Sequence, residues 1–339
     1  MARAVTDARL LADALRDPAT TAMLDADGWT ALIAMARAEQ LIGTLAHRVD
    51  GIAMPAAVAD LMADARASAG QGRVAALWEA AMARRALAPI GCPVVLLKGT
   101  AYVAAGLKAG VGRSIGDLDI LVPRDRIAAV EAALIRAGWE WVKPDPYDDA
   151  YYRRWMHELP PLIHRDRDRM IDVHHTILPL TARITPDAAA LIADSMAFDD
   201  GLRVLAPNDM LCHAAAHLFA DGDLAGGMRN LWDIHCLIDD FGTEGLAARA
   251  RHHGLEAAVS RALRQAAALY GTDLPVAWRG WGGADALFQR RILARDGWGR
   301  ATRPATRFAF DVRAHGLRMP PLLLARHLWT KWRRRHRAG

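Results

Sequence analysis

The chain has 339 residues, is 53% hydrophobic and carries a formal net charge of +5. This composition supplies enough apolar material for a sizeable core and disfavours a globally disordered chain. Five positive charges lie in the last nine residues, and the rest of the chain has no net formal charge. Because a nucleic-acid enzyme usually spreads basic residues over its body, long nucleic acid is not an expected partner.

The basic charges at the C-terminal end belong to Lys331, Arg333, Arg334, Arg335 and Arg337. A solvated tail is the favoured interpretation, and binding to an acidic partner, to phosphate or to a membrane surface is the alternative.

The three cysteines, Cys92, Cys212 and Cys236, are scattered and form no CxxC pair. This pattern favours neither a disulfide framework nor a zinc knuckle, and it suggests a cytoplasmic location. No apolar run reaches the roughly 18 residues that would span a bilayer, so no transmembrane segment is expected.

Three regions are predicted along the chain: a helical N-terminal region over residues 1–90, an α/β core over 91–180, and a helical C-terminal domain with the basic tail over 181–339. In the first region, apolar residues recur at helical spacing from about residue 8 to 49 and again from 55 to 88.

The core alternates strands and helices. Short apolar runs predict strands at 94–97, 118–122 and 139–142, a hairpin over 157–175, and helices from about 99 to 108 and from 124 to 137. Beyond the core, a small hairpin over 198–205 and helices at 208–220, 228–240, 243–252, 255–270, 284–295 and 304–335 are predicted, the last broken by Pro320 and Pro321. The expected fold class is α+β, with a small mixed sheet flanked by helical regions.

The sharpest motif is the segment 116–122, which reads GDLDILV. Alternate side chains of a strand share a face, so Asp117 and Asp119 project together. Two adjacent carboxylates repel each other, and a hard cation such as Mg²⁺ or Mn²⁺ relieves the repulsion. Asp172 lies on another apolar strand that can neighbour the first one. The three carboxylates are therefore predicted metal ligands and catalytic residues.

A phosphate-binding element precedes this motif. Leu97-Lys98-Gly99-Thr100 places a glycine and a hydroxyl residue after a strand and at the start of a helix, where free N–H groups favour anions. Lys98 or Arg113 can add positive charge to a triphosphate, with Arg113 as the more flexible loop donor.

These motifs resemble the polymerase-beta-like nucleotidyltransferase superfamily, and more narrowly the bacterial "uncharacterised nucleotidyltransferase" family. The resemblance rests on the LKG motif, Arg113, the DLDILV strand and the element 171–174, and it covers about residues 25–270. Thr100 stands where serine is commoner, and the 16-residue spacer over 101–116 is longer than usual.

The resemblance implies transfer of a nucleoside monophosphate from an NTP to an unidentified small-molecule, peptide or protein acceptor, with release of pyrophosphate. The site residues it implies are Asp117, Asp119 and Asp172 for catalysis and metal, Lys98, Gly99, Thr100, Arg113 and Ser114 for the nucleotide, and His174 for the substrate. The alternative is a non-catalytic binding or regulatory module with the same fold. A nucleic-acid binder that uses the basic tail is a third hypothesis.

Two other signals are weaker. The segment 112–116 matches GxSxG, but a loop precedes it and a strand follows, the reverse of a nucleophile elbow. His213 and His217 have a zinc-compatible helical spacing but no HExxH glutamate, so buried structural histidines are the favoured interpretation.

Overall fold

The computed structural model describes residues 7–199 and 201–320, together with the single positions 324, 325, 329 and 333. The N-terminal region is helical, as predicted. Its helices are α1 (Arg9–Arg16), α2 (Ala26–Ala38), α3 (Ile42–Arg48) and α4 (Ala56–Leu87). Asp25 caps α2 by accepting a hydrogen bond from the backbone N–H of Gly28, which satisfies one of the free donors at a helix start.

Within the described residues, seven strands form one mixed sheet. The strands are β1 (Val95–Leu96), β2 (Asp117–Leu121), β3 (Trp139–Trp141), β4 (Leu162–His164), β5 (Met170–His174), β6 (Met196–Ala197) and β7 (Arg203–Val204). Their spatial order is β3-β4-β5-β2-β1-β7-β6. β2 is central, with β1 antiparallel on one side and β5 parallel on the other. The predicted α+β class with a mixed sheet is confirmed.

The helices around the sheet differ from the prediction in extent. They are α5 (Lys98–Ala104), α6 (Ile127–Arg136) and α7 (Pro146–Trp155). Helix α5 is shorter than predicted, because the chain turns through Gly106 at a positive φ of 66°. Helix α7 was not predicted, although Asp145 accepts hydrogen bonds from the N–H groups of Tyr147 and Asp148 at its start.

The C-terminal region is mostly helical but also contributes to the sheet. Its helices are α8 (Ala188–Ala193), α9 (Pro207–Ala215), α10 (Gly227–Phe241), α11 (Leu246–His252), α12 (Glu256–Tyr270), α13 (Asp285–Ile292) and α14 (Pro304–Arg318). Strands β6 and β7 belong to the same sheet as the core strands, although they lie after residue 180, where the core was predicted to end. The domain boundaries stay a prediction.

Helix α14 ends at Arg318, two residues before Pro320, where the sequence predicted a break at Pro320 and Pro321. The residue before a proline is disfavoured in the helical conformation, which accounts for the stop. The basic tail over 331–339 lies outside the described residues except for Arg333. None of the helices in the described part of the chain is long and apolar enough to cross a bilayer.

Two glycines join the N-terminal helices to the loop that precedes β2. A Cβ atom on Gly112 would lie 2.4 Å from the backbone of Gly43 in α3, closer than real Cβ atoms approach. Gly112 also has a φ of +66°. The hydroxyl of Thr44 donates to the Val111 carbonyl oxygen at 3.1 Å and strengthens this junction. The loop that carries Arg113 and Ser114 is thereby held against α3.

Candidate active site

Three carboxylates meet where β2 and β5 run side by side. In the parallel register, Asp119 pairs with Asp172, and Asp117 pairs with Met170 at the start of both strands. One carboxylate oxygen from each of Asp117, Asp119 and Asp172 lies within 4.8 Å of the other two. The sequence suggested that the strand of Asp172 lies next to the strand of Asp117 and Asp119, and β5 does lie next to β2.

Asp119 is the buried member of this trio and is held by two donors. Its Oδ1 accepts from Lys98 Nζ at 2.6 Å and from His174 Nε2 at 3.0 Å. Lys98 adopts a φ of +48° where β1 turns into α5. Non-glycine residues rarely adopt this left-handed conformation, and strained residues cluster at functional sites. The residue in this strained turn thus provides the ammonium group that contacts the Asp119 carboxylate.

The two neighbouring carboxylates lack such compensation. Burial disfavours ionisation of Asp119, but Lys98 and then His174 outweigh it and lower its pKa. For Asp117, burial and then the charge of Asp119 raise the pKa. Burial and then the charge of Glu158 raise the pKa of Asp172 to about 7. Both raised values reflect carboxylates with too little nearby positive charge.

Asp172 has a further unsatisfied group. Its Oδ1 is buried and has no hydrogen-bond partner among the described residues. Buried polar atoms without partners are costly and rare. Clustered carboxylate oxygens of this kind are the ligands that Mg²⁺ and Mn²⁺ prefer. The residues present therefore fit a divalent cation between Asp117, Asp119 and Asp172.

A cleft of about 730 Å³ opens beside these carboxylates. Of the predicted site residues, it is lined by Lys98, Gly99, Arg113, Ser114, Asp117 and Asp119. Thr100 and His174 are buried, at 2% and 3% exposure, and do not line the cleft. The Thr100 hydroxyl has no hydrogen-bond partner in the described chain.

Arg113 is not the flexible loop donor that the sequence suggested. Its guanidinium forms a buried ion pair with Asp233 of α10 and stacks over the Tyr102 ring at 5.6 Å. A Cβ atom on Gly99 would lie 2.5 Å from Arg113 Nε. Because Gly99 has no side chain, there is room for the Arg113 side chain beside it. This is a second role for the glycine, in addition to the predicted close approach of phosphate.

Several buried polar residues surround the site. Arg229 donates to Asp233 at 2.6 Å and to the Thr44 hydroxyl at 2.7 Å. This network links α10 to α3 and to the Arg113 loop. His213 is buried in α9, whereas His217, in the turn that follows it, is exposed and lines the cleft. Neither histidine belongs to a metal-compatible ligand group within the residues that the structure describes, and the structural interpretation of the pair stays a prediction.

Sequence reasoning assigned no role to His157 and Glu158, which lie next to His174. Glu158 Oε2 is 3.4 Å from His174 Nδ1, and the His157 ring stacks on the His174 ring with centroids 5.2 Å apart. Residues 157–159 are joined to the end of β5 by backbone hydrogen bonds. This pairing has no local sequence signature, although the histidine-glutamate dipeptide is a visible hint.

Comparison with protein-family models matches residues 25–271 to the family described as "Uncharacterised nucleotidyltransferase". The chain belongs to this family. The resemblance inferred from the LKG and DLDILV motifs is confirmed, with nearly the same coverage. In this nucleotidyltransferase family member, the matched region includes the three carboxylates, the LKG turn and helix α10.

Comparison with curated proteins returns no match for this family member. Among solved structures, it is similar to the antibiotic-resistance factor ANT(2'')-Ia, studied for its substrate-regulated conformation dynamics. The sequences are 14% identical, the TM-score is 0.36, and the match covers 52% of this chain and 91% of the other.

Proposed function

We propose that the protein transfers a nucleoside monophosphate from an NTP to a hydroxyl-bearing acceptor and releases pyrophosphate, in a reaction that depends on Mg²⁺ or Mn²⁺. The observation that carries the proposal is the convergence of Asp117, Asp119 and Asp172 across β2 and β5. Membership in a nucleotidyltransferase family supports it.

The three aspartates would hold the divalent cation. When bound, the metal supplies positive charge to the phosphate oxygens and the leaving pyrophosphate. In the transfer itself, the acceptor oxygen bonds to the α-phosphorus as the bond from that phosphorus to the bridging oxygen of pyrophosphate breaks. The acceptor proton needs a base, and Asp172, whose Oδ1 has no hydrogen-bond partner among the described residues, would accept it.

The cleft supplies groups for the triphosphate. Lys98, Gly99 and Ser114 line it close to Asp117 and Asp119, and Arg229 and Arg295 line it as well. Lys98 Nζ would contact a phosphate oxygen after exchanging its bond to Asp119. Arg113, committed to Asp233, would act on the nucleotide by positioning Gly99 at the cleft.

A second candidate is a nucleotide-binding or regulatory module with this fold. The bond of 2.6 Å between Lys98 and Asp119 favours it, because the ammonium already neutralises one of the three carboxylates. The two candidates differ in one observable outcome. The enzyme consumes NTP and forms pyrophosphate, whereas the module binds the nucleotide without turnover.

The test follows α-phosphate-labelled ATP, GTP, CTP and UTP with Mg²⁺ or Mn²⁺ and a pool of hydroxyl-bearing small molecules and peptides. Transfer of label and stoichiometric pyrophosphate are expected for wild type. Asp172→Asn should abolish both, and Asp60→Asn on the exposed side of α4 is the matched control and should not. Nucleotide binding without label transfer, for every NTP and acceptor fraction, would support the non-catalytic binding module and contradict the enzyme.

A further inference from the structure

A second group of potential metal ligands lies beside the carboxylates. His157, Glu158 and His174 each offer one ligand atom, and these atoms lie within 4.8 Å of one another. His157 Nε2 and His174 Nδ1 approach the same oxygen, Glu158 Oε2, at 3.7 and 3.4 Å. Donors bound to one tetrahedral zinc ion by bonds of about 2.0–2.2 Å stand roughly 3.3–3.6 Å apart. The separation of 3.4 Å lies within this range, and the separation of 3.7 Å lies just above it.

The hydrogen bonding of a neutral His174 leaves two acceptor atoms facing each other inside the group. Its Nε2 lies 3.0 Å from Asp119 Oδ1, a carboxylate oxygen that only accepts hydrogen bonds, so Nε2 carries the proton. A neutral ring then directs the lone pair of Nδ1 at Glu158 Oε2, a second acceptor. A second proton on His174 would join these two atoms, and a cation between the three ligand atoms would do so as well while also engaging His157 Nε2.

His157 provides an independent observation. Its Nδ1 is buried and has no hydrogen-bond partner among the described residues, so no hydrogen bond to that atom fixes the orientation of the ring. The neutral imidazole is the form of histidine that binds metals. The side chains of His157 and Glu158 remain 13% and 17% exposed, which leaves a path for an ion.

We propose that His157, Glu158 and His174 form a binding site for a divalent transition-metal ion of the Zn²⁺ class, separate from the carboxylate site for Mg²⁺ or Mn²⁺. Two imidazole nitrogens and one carboxylate oxygen suit zinc and leave a fourth position open. Magnesium prefers oxygen ligands, so the two sites differ in the ions they select.

The site would also connect to the carboxylates through His174. A metal-bound histidine usually donates its other N–H to a carboxylate, and here that carboxylate is Asp119. Zinc on Nδ1 would fix the tautomer and the ring orientation of His174, and through them the position of Asp119 Oδ1. This inference does not rest on nucleotidyl transfer, because the ligand set stands whether or not the protein turns over NTP.

The experiment uses the untagged full-length chain, stripped of metal with a chelator and checked for folding by circular dichroism. Zn²⁺ is titrated against a fluorescent zinc indicator, and Co²⁺ is titrated with visible absorption as the readout of coordination. We expect one tightly bound ion per chain. His157→Ala and the isosteric Glu158→Gln should each weaken zinc binding by at least roughly 100-fold, more than the 10-fold to 100-fold typical of losing an outer partner.

Two variants are matched controls for zinc binding. His47→Ala removes an exposed histidine of α3, and Asp117→Asn removes a ligand of the carboxylate site, and both should keep wild-type affinity for zinc. The proposal is overturned if the folded wild type binds neither ion. It is also overturned if Glu158→Gln binds zinc as tightly as wild type, or if Asp117→Asn loses the ion while His157→Ala keeps it.

Discussion

Asp119 and Asp172 are direct partners in the parallel pairing of β2 with β5, yet their environments are opposite. Asp119 accepts hydrogen bonds from Lys98 and His174, whereas Asp172 Oδ1 is buried without a partner among the described residues. The pKa of the first is lowered and that of the second is raised to about 7. Pairs of carboxylates whose pKa values are pushed apart are typical of acid–base sites.

The raised pKa of Asp172 predicts a specific pH dependence of stability without metal. The unfolded chain releases this proton near pH 4 and the folded chain near pH 7, so the folded state binds more protons in between. Stability is therefore lost as pH rises through this window, by about 4 kcal/mol in total. In urea denaturation with EDTA, the free energy of unfolding of Asp172→Asn should increase relative to that of wild type from pH 4 to 7. Above pH 7 the difference should stay constant.

Saturating Mg²⁺ should reduce this difference, since a bound cation favours the ionised carboxylate. Asp60→Asn, an exposed substitution on α4, provides the baseline. Parallel stability profiles for wild type and Asp172→Asn across pH 4–7 would show that Asp172 titrates normally.

Removal of the Lys98 ammonium should destabilise the fold. Asp119 is 4% exposed at its side chain and Lys98 is 28% exposed, so the pair is shielded from water although not fully buried. Lys98→Met keeps most of the apolar stem and leaves Asp119 with His174 as its remaining side-chain donor. A loss of about 1–3 kcal/mol in the free energy of unfolding at pH 7 is expected.

Lys108→Met is the matched control, because Lys108 pairs with Asp239 at the surface, where both side chains are more than half exposed. It should unfold at the wild-type urea concentration. Equal midpoints for Lys98→Met and Lys108→Met would mean that the contact with Asp119 makes no net contribution.

Asp233 is expected to be a major stabilising residue of the helix α10 junction. It pairs with Arg113 and Arg229, whose side chains are 13% and 5% exposed. Asp233→Asn leaves two buried guanidinium groups without a counter-charge, and a loss of about 3–5 kcal/mol in the free energy of unfolding is expected. Asp239→Asn, on the exposed side of the same helix, should leave the urea midpoint unchanged. Similar midpoints for both variants would contradict the role assigned to the network.

The close approach of Gly112 to Gly43 predicts a steric effect. Gly112→Ala adds a methyl group against the backbone of α3 at a positive φ, and these effects should together cost about 2–4 kcal/mol in stability. Gly116→Ala is the control in the same loop, since its Cβ would meet nothing within 4 Å. The two thermal melting temperatures should differ by several degrees, and equal values would show that the junction adapts to a methyl group.

Local patterns were sufficient for the elements that carry the carboxylates. The alternation in DLDIL and the apolar run around Asp172 predicted both strands and the shared face. The same local rules predicted most helices, but α7 was missed because its interior is polar and tyrosine-rich, despite the capping signal at Asp145.

The sequence did not predict contacts between residues that lie far apart in the chain. The ion pair of Arg113 with Asp233 joins residues 120 positions apart. The contact of Lys98 with Asp119 depends on a left-handed backbone at Lys98, which no propensity predicts. Likewise, β7 joins the sheet by pairing with β1, and β6 joins it by pairing with β7. Nothing in these short segments indicates those partners.

The central claim is that Asp117, Asp119 and Asp172 hold a divalent cation against a nucleoside triphosphate. The most direct measurement is isothermal titration of the folded full-length chain with non-hydrolysable ATP and GTP analogues, with Mg²⁺, with Mn²⁺ and with EDTA. We expect metal-dependent binding that is weakened at least roughly 100-fold in Asp117→Asn/Asp119→Asn and unchanged in Asp60→Asn. Metal-independent binding, or equal binding by the double variant and wild type, would contradict it.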